Sequence, residues 1–305
     1  MKQVAAIGEC MVELSELRDG AMALSYGGDT LNTLVYVSRL GITADYVTAL
    51  GQDPYSEWMC DAWRAEGVGT DLVVRVAERL PGLYTIRTDA NGERTFFYWR
   101  DRSPARDLFG FPEAGALSES LLDYDVVYIS GITLSLYTQS HRTRLFEVLD
   151  AVRRKGGRIM FDTNHRPNLW RDRDAARRVY SEALKRVDIA LPTLDDEQSI
   201  FGDVSAETCA VRLHDFGVGE VVVKMGRAGC LVSSDGILTR VELEQPRQAV
   251  DTTGAGDSFN AGYLAARLKG KEILEAARFA QQVAGEVVMH RGAIIPKEAI
   301  PEMVP

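Results

Sequence analysis

Five short apolar runs, several of them β-branched and free of polar alternation, constrain what this chain can fold into. They are Val4–Ile7, Asp125–Ser130, Arg158–Asp162, Asp188–Pro192 and Glu220–Lys224, the last containing Val221-Val222-Val223. Unalternated runs of this kind suit strands buried on both faces, as in a parallel sheet covered by helices. Helical stretches lie between and after them. Within Ser140–Lys155, Leu145, Leu149 and Val152 recur at spacings of four and three, and the stretch ends in Gly156-Gly157. Asp172–Arg186, Ala206–Phe216, Asp257–Leu268 and Glu272–His290 read likewise. Strand–helix alternation predicts an α/β fold, and right-handed crossovers place helices on both faces of a mostly parallel sheet. A chain of 305 residues, 46% of them hydrophobic, can bury such a core.

One region departs from the pattern. Leu83–Asp89 and Glu93–Arg100 are strand-like and flank Ala90-Asn91-Gly92, and Asn-Gly between two such runs signals a hairpin. Met11–Leu17 and Ala21–Tyr26 form a similar pair around Arg18-Asp19-Gly20. These pieces predict a small antiparallel sheet beside the α/β core, either a lid over a cleft or an edge used for contact between copies.

Composition excludes several classes of function. The formal net charge of −9 gives no general attraction to nucleic acid or anionic lipid. Cys10, Cys60, Cys209 and Cys230 are dispersed, with no CxxC pair, which suits reduced thiols in the cytosol. No apolar run approaches a membrane span, and the short run at Val4–Ile7 is too brief for a signal segment. The expectation is a cytoplasmic protein. There is no G-x-x-x-x-G-K-[ST], no G-x-G-x-x-G after the first strand, no H-E-x-x-H and no G-x-S-x-G.

The segment Val250-Asp251-Thr252-Thr253-Gly254-Ala255-Gly256-Asp257-Ser258-Phe259-Asn260 stands apart. Small residues at 254–256 let successive N–H groups face one way, immediately before a helix whose N-terminus carries partial positive charge. Such a turn cradles an anion. An aspartate beside it makes sense as the group that takes a proton from an attacking hydroxyl. Taken alone, the same residues also fit a glycine-rich turn with an acidic first helical turn.

The longer string Asp251 to Leu264 resembles the C-terminal signature of ribokinase-like sugar kinases. Gly27-Gly28-Asp29-Thr30-Leu31-Asn32 resembles that family's N-terminal sugar-binding segment and is most similar to the version in 2-keto-3-deoxygluconate kinases. Gly8-Glu9-Cys10-Met11-Val12-Glu13-Leu14, Leu80-Pro81-Gly82-Leu83-Tyr84, Phe97-Tyr98-Trp99-Arg100, the run Asp162 to Trp170 and the run Arg291 to Pro296 add to the likeness, which covers essentially the whole chain. It implies a three-layer α/β/α ribokinase-like domain over residues 1–305, with lid strands within about 11–26 and 70–102. It also implies ATP-dependent phosphorylation of a sugar acid.

By the same resemblance, Asp257 is the general base, and Gly254, Ala255 and Gly256 with the Asp257 N–H form the anion hole. Gly28, Asp29 and Asn32 meet the sugar hydroxyls. Lys224, Gly226 and Gly229 match a Lys-x-Gly-x-x-Gly nucleotide segment, Asn164 belongs near the phosphates and Gln281 on the adenine side. Asp196 aligns with an acidic residue linked to Mg2+, although the segment Thr193 to Glu197 lacks the asparagine that many relatives carry. Asp251 and Thr253 are the candidates for a monovalent cation such as K+. Arg100 lies two residues after Tyr98, so both leave one face of the lid strand, and Tyr84 on the paired strand can join them. With Arg166 they offer guanidinium groups suited to a carboxylate; alternatively, Arg100 stacks on an aromatic sheet surface and Arg166 is a solvated loop charge. A neutral-sugar kinase, such as one for fructose, leaves two guanidinium groups without an anion. A non-catalytic sugar-binding relative has no use for the base at 257. Exposed lid edges favour a homo-oligomer.

Overall fold

The computed structural model describes residues 2–17, 20–88, 94–244 and 247–303, with Lys2, Thr88 and Arg94 described by backbone alone. The expected turn at Ala90-Asn91-Gly92 and most of that at Arg18-Asp19-Gly20 lie outside the described residues. The strands are β1 (Lys2–Ile7), β2 (Met11–Glu16), β3 (Met22–Gly27), β4 (Ala44–Gly51), β5 (Val68–Gly69), β6 (Val73–Val76), β7 (Leu83–Thr88), β8 (Arg94–Trp99), β9 (Tyr124–Ser130), β10 (Arg158–Asp162), β11 (Ile189–Ala190), β12 (Glu220–Lys224), β13 (Cys230–Ser234) and β14 (Ile237–Val241).

Among the described residues, ten strands make the large sheet, in the order β14-β13-β12-β11-β10-β9-β1-β4-β5 with β6 also on β4. Pairing is parallel from β12 across to β5. β13 and β14 add antiparallel strands at one edge. The sheet is buried on both sides, as unalternated runs require. Val4, Ala6, Val126 and Tyr128 pack into one core with the helices Asp29–Arg39, Pro54–Ala65, Ala255–Leu268 and Ile273–Val287. Ala5, Ile7, Val127 and Ile129 pack into the other with Ala114–Leu121, Gln139–Arg154, Arg173–Leu184 and Ala206–Asp215. From β1 the chain builds outward through β4, and from β9 it builds the opposite way. The carboxyl ends of β1 and β9 therefore flank the point where the order reverses, the usual place for a ligand crevice.

The second sheet has the order β3-β2-β7-β8. Two antiparallel hairpins are present as expected, but β2 and β7 join them in parallel. The reason is directional: β2 follows β1 and β7 follows β6, and both leave the same end of the large sheet. β11 is shorter than the expected Asp188–Pro192. The Asp188 carboxylate is engaged by the Ile159 N–H at 2.8 Å and by Arg153, while Pro192 has no N–H to give a ladder.

Candidate active site

Asp257 lies in the first turn of the helix Ala255–Leu268. The turn before it needs glycine at 254, where φ is +75°. A Cβ there would also stand 2.7 Å from the Ala293 carbonyl oxygen. Asn32, from the N-terminal sugar segment, donates through Nδ2 to Asp257 Oδ2 at 2.9 Å across 225 residues of sequence. Its Oδ1 is buried and has no hydrogen-bond partner among the described residues, an acceptor left for a ligand hydroxyl. Burial, then the nearby Asp29 charge, push the Asp257 carboxyl up to about 7; the Asn32 hydrogen bond and the Lys224 charge oppose that rise. A carboxylate poised near neutrality suits proton abstraction at physiological pH.

Asp29 shares the Asn32 helix and accepts from Asn164 Nδ2 at 2.7 Å. Burial raises its carboxyl above the ordinary range, against hydrogen bonds from Ser130 and Asn164. Asn164 has φ +31°, a region asparagine tolerates better than most side chains. Lys224 ends β12 and is buried. Its Nζ contacts Asp162 Oδ2 at 2.9 Å and Asn260 Oδ1 at 3.0 Å, and Asn260 Nδ2 donates to the same Asp162 oxygen at 2.7 Å. A Cβ built on Gly256 would be 3.6 Å from that ammonium, so the charge stands beside the 254–257 turn.

Asp196 Oδ2 accepts from the His165 N–H at 3.0 Å. Burial and, less strongly, the Asp162 charge push its carboxyl up to about 6; the His165 hydrogen bond and the charges of Arg166 and Lys224 work the other way. Arg166 itself is exposed, and its Nη1 donates to the His165 carbonyl at 2.9 Å. Asp251 accepts from the Thr253 N–H, the Thr253 hydroxyl and the Gly292 N–H at 3.1, 2.7 and 2.8 Å, which ties the loop before the helix to the segment after residue 290.

A cavity of about 600 Å³ is lined by Lys224, Gly226, Gly229, Ala255, Gly256 and Gln281 among others. Of the residues expected around the nucleotide, Lys224, Gly226, Gly229 and Gln281 line this cavity beside the 254–257 turn, and Asn164 does not. Gln281 donates to the Val241 carbonyl at 2.8 Å, so its amide is fastened to β14.

On the small sheet, Tyr84 and Tyr98 are directly opposite each other, with ring centroids 5.7 Å apart. Tyr84 donates its hydroxyl to Glu13, and that hydroxyl stands 2.2 Å from where a Gly27 Cβ would be. This face therefore looks onto the Gly27-Gly28 turn. Gly28 packs so closely that an added Cβ would lie 2.3 Å from the Glu9 carbonyl oxygen. Arg100 sits over the Tyr98 ring at 6.0 Å and is ion-paired with Glu9. Arg100 is buried, whereas Arg166 is exposed in its loop. A second cavity, of about 850 Å³, touches Tyr98 and Arg100, but Val12, Leu14, Leu24 and Trp99 place most of its wall on the opposite face of the sheet. It includes neither Asn32 nor Asp257.

Glu9, Asp162 and Asn260 received no role from the sequence. All three lie within the family-like motifs, but the partnerships of Asp162 and Asn260 with Lys224 span 62 and 36 residues, and that of Glu9 with Arg100 spans 91. The one acidic–thiol cluster with ligand spacing among the described residues, Glu197, Asp203 and Cys209, is occupied by Arg212, which pairs with both carboxylates.

Comparison with known proteins shows the family and the fold. The chain is 46% identical to the 2-dehydro-3-deoxygluconokinase of Dickeya dadantii (strain 3937), over 98% of this chain and 99% of that one. A structure from Escherichia coli in complex with ATP and Mg2+ superposes with a TM-score of 0.84 at 23% identity, covering 99% of this chain and 96% of that one. The 2-dehydro-3-deoxygluconokinase structure from Thermotoga maritima gives 0.83 at 23% identity, covering 97% and 96%. The pfkB carbohydrate kinase family matches residues 1–300, and with the fold and the Asp257 turn already in place the chain belongs to that family.

Proposed function

We propose that this carbohydrate kinase transfers the terminal phosphoryl group of ATP to the 6-hydroxyl of 2-dehydro-3-deoxy-D-gluconate, in cytoplasmic sugar-acid catabolism. The observation that carries the reading is the Asn32–Asp257 hydrogen bond, which brings the sugar segment onto the base at the mouth of the nucleotide cavity. The names of relatives such as that of Dickeya dadantii support the substrate. The working unit is one kinase domain over residues 1–305 with the small sheet inserted as its lid.

Asp257 takes the proton of the sugar hydroxyl, the hydroxyl oxygen forms its bond to the γ-phosphorus, and the bond from that phosphorus to the β–γ bridging oxygen breaks to release ADP. The N–H groups of Gly254, Ala255, Gly256 and Asp257 receive the transferring group, and Lys224 adds a fixed positive charge beside them. Gly226, Gly229 and Gln281 hold the nucleotide, and Asn164 orients Asp29 below the phosphates. Gly28, Asp29 and Asn32 hold the sugar, Tyr84 and Tyr98 cover it, and Arg100 with Arg166 answers its carboxylate. Asp196 would offer Mg2+ a carboxylate oxygen, and the cation, which would supply charge neutralisation for the phosphates, would favour the ionised form that burial disfavours. We place K+ at Asp251 and Thr253. Leu24, Phe97 and Trp99, 47%, 45% and 61% exposed on the outer face of the lid, support a homo-oligomer.

The test is a coupled ADP-release assay with this acid, the galactonate-derived epimer and fructose. Turnover confined to fructose would overturn the substrate while leaving the kinase intact.

A further inference from the structure

We infer that Glu9 is a positioning residue that fixes the Arg100 guanidinium for recognition of the substrate carboxylate. The inference rests on the proposed role of Arg100. Glu9 follows Gly8 at the carboxyl end of β1, where the strand order reverses. Its side chain is 0% exposed, that of Arg100 is 10% exposed, and the two are ion-paired. Glu9 Oε1 and Arg100 Nε are both buried without a hydrogen-bond partner among the described residues. The pair thus uses one carboxylate oxygen and one terminal nitrogen, short of the bidentate geometry that arginine–carboxylate pairs frequently adopt. A buried pair of this kind gives little net stability and is often replaceable by apolar residues, so its presence calls for another use.

The surroundings point to that use. The Glu9 carboxylate is paired with Arg100, and the carbonyl oxygen of the same residue packs onto Gly28. Gly82 leaves the space the pair occupies: an added Cβ would stand 3.0 Å from Glu9 Oε1 and 3.2 Å from Arg100 Cβ. Tyr98 closes one side of the guanidinium. Between ring and carboxylate, the long arginine side chain loses its rotamer freedom before substrate arrives. A preorganised guanidinium binds an anion without that ordering cost.

The experiment is a kinetic cycle of Glu9→Gln, Arg100→Met and the double variant, with thermal melts to confirm folding. Glu9→Gln is expected to raise KM for the sugar acid about tenfold, with KM for ATP within twofold and kcat within threefold. In the Arg100→Met background it should add nothing, because the group it positions is gone. Glu9→Asp, which keeps the charge but shortens the reach, should fall between parent and Glu9→Gln, and it serves if Glu9→Gln does not fold. An unchanged acid KM in Glu9→Gln or Glu9→Asp overturns the inference, as does an equal rise with and without Arg100. If Arg100→Met itself leaves the acid KM unchanged, it is the substrate reading that has failed.

Discussion

Replacing Asn32 by alanine isolates the control of Asp257, the proposed base. Asn32 donates to Asp257 Oδ2 at 2.9 Å and favours the ionised carboxylate, whose titration stands at about 7. A hydrogen bond to a charged group contributes about 1.5–3 kcal/mol, and one pKa unit corresponds to about 1.4 kcal/mol, so its loss moves the titration up by about one to two units. At pH 7 the ionised fraction then falls from about a half to between about a tenth and a hundredth, and kcat/KM falls about 5- to 50-fold. The deficit shrinks as pH rises and is largely recovered near pH 9. Asn32 is also proposed to hold the sugar, but loss of a sugar contact lowers kcat/KM equally at every pH. The assay is kcat/KM from pH 5.5 to 9.5 for parent and variant. An acid limb at the same pH in both would refute the argument.

Two further predictions concern buried charge. Asp257 has a folded-state pKa above its unfolded value, so its contribution to stability is full below about pH 4 and is lost as pH rises through about 7. Asp257→Asn is therefore expected to be nearly inactive yet to melt above the parent at pH 8, with an advantage that narrows as pH is lowered; calorimetry across pH checks both signs. Lys224→Met strands the Asp162 carboxylate and should cost about 3–5 kcal/mol in urea unfolding. Adding Asp162→Asn should return most of that stability without returning turnover.

Much of the scaffold was legible because burial writes itself into sequence. β10 and β12 coincide with the apolar runs at Arg158–Asp162 and Glu220–Lys224. β4 was not anticipated: Asp45 and Thr48 interrupt its apolar sequence, and the partner of Asp45, the Tyr124 hydroxyl at 2.8 Å, comes from a distant part of the chain. The β13–β14 hairpin carried a readable signal in Asp235-Gly236, both at positive φ. In the site, the 254–257 turn was legible because its chemistry is local. The Glu9–Arg100 pair was not, because one charge comes from the end of β1 and the other from the end of β8, and no spacing announces such a meeting.

The chain passes between the two sheets near residues 8–10, 27–28, 81–82 and 100. Any swing of the small sheet against the large one must be absorbed at those passages. They are not slack: a Cβ on Gly8 would meet the Thr30 hydroxyl at 2.0 Å, and one on Gly82 would meet the Met11 side chain at 2.8 Å. They also include residues assigned to the sugar, Gly28 and Arg100. The joint and the recognition surface are thus the same pieces of backbone. A change that retunes substrate choice at those positions will retune the stiffness of the joint as well, so selectivity and cycling speed in this enzyme should evolve as one trait.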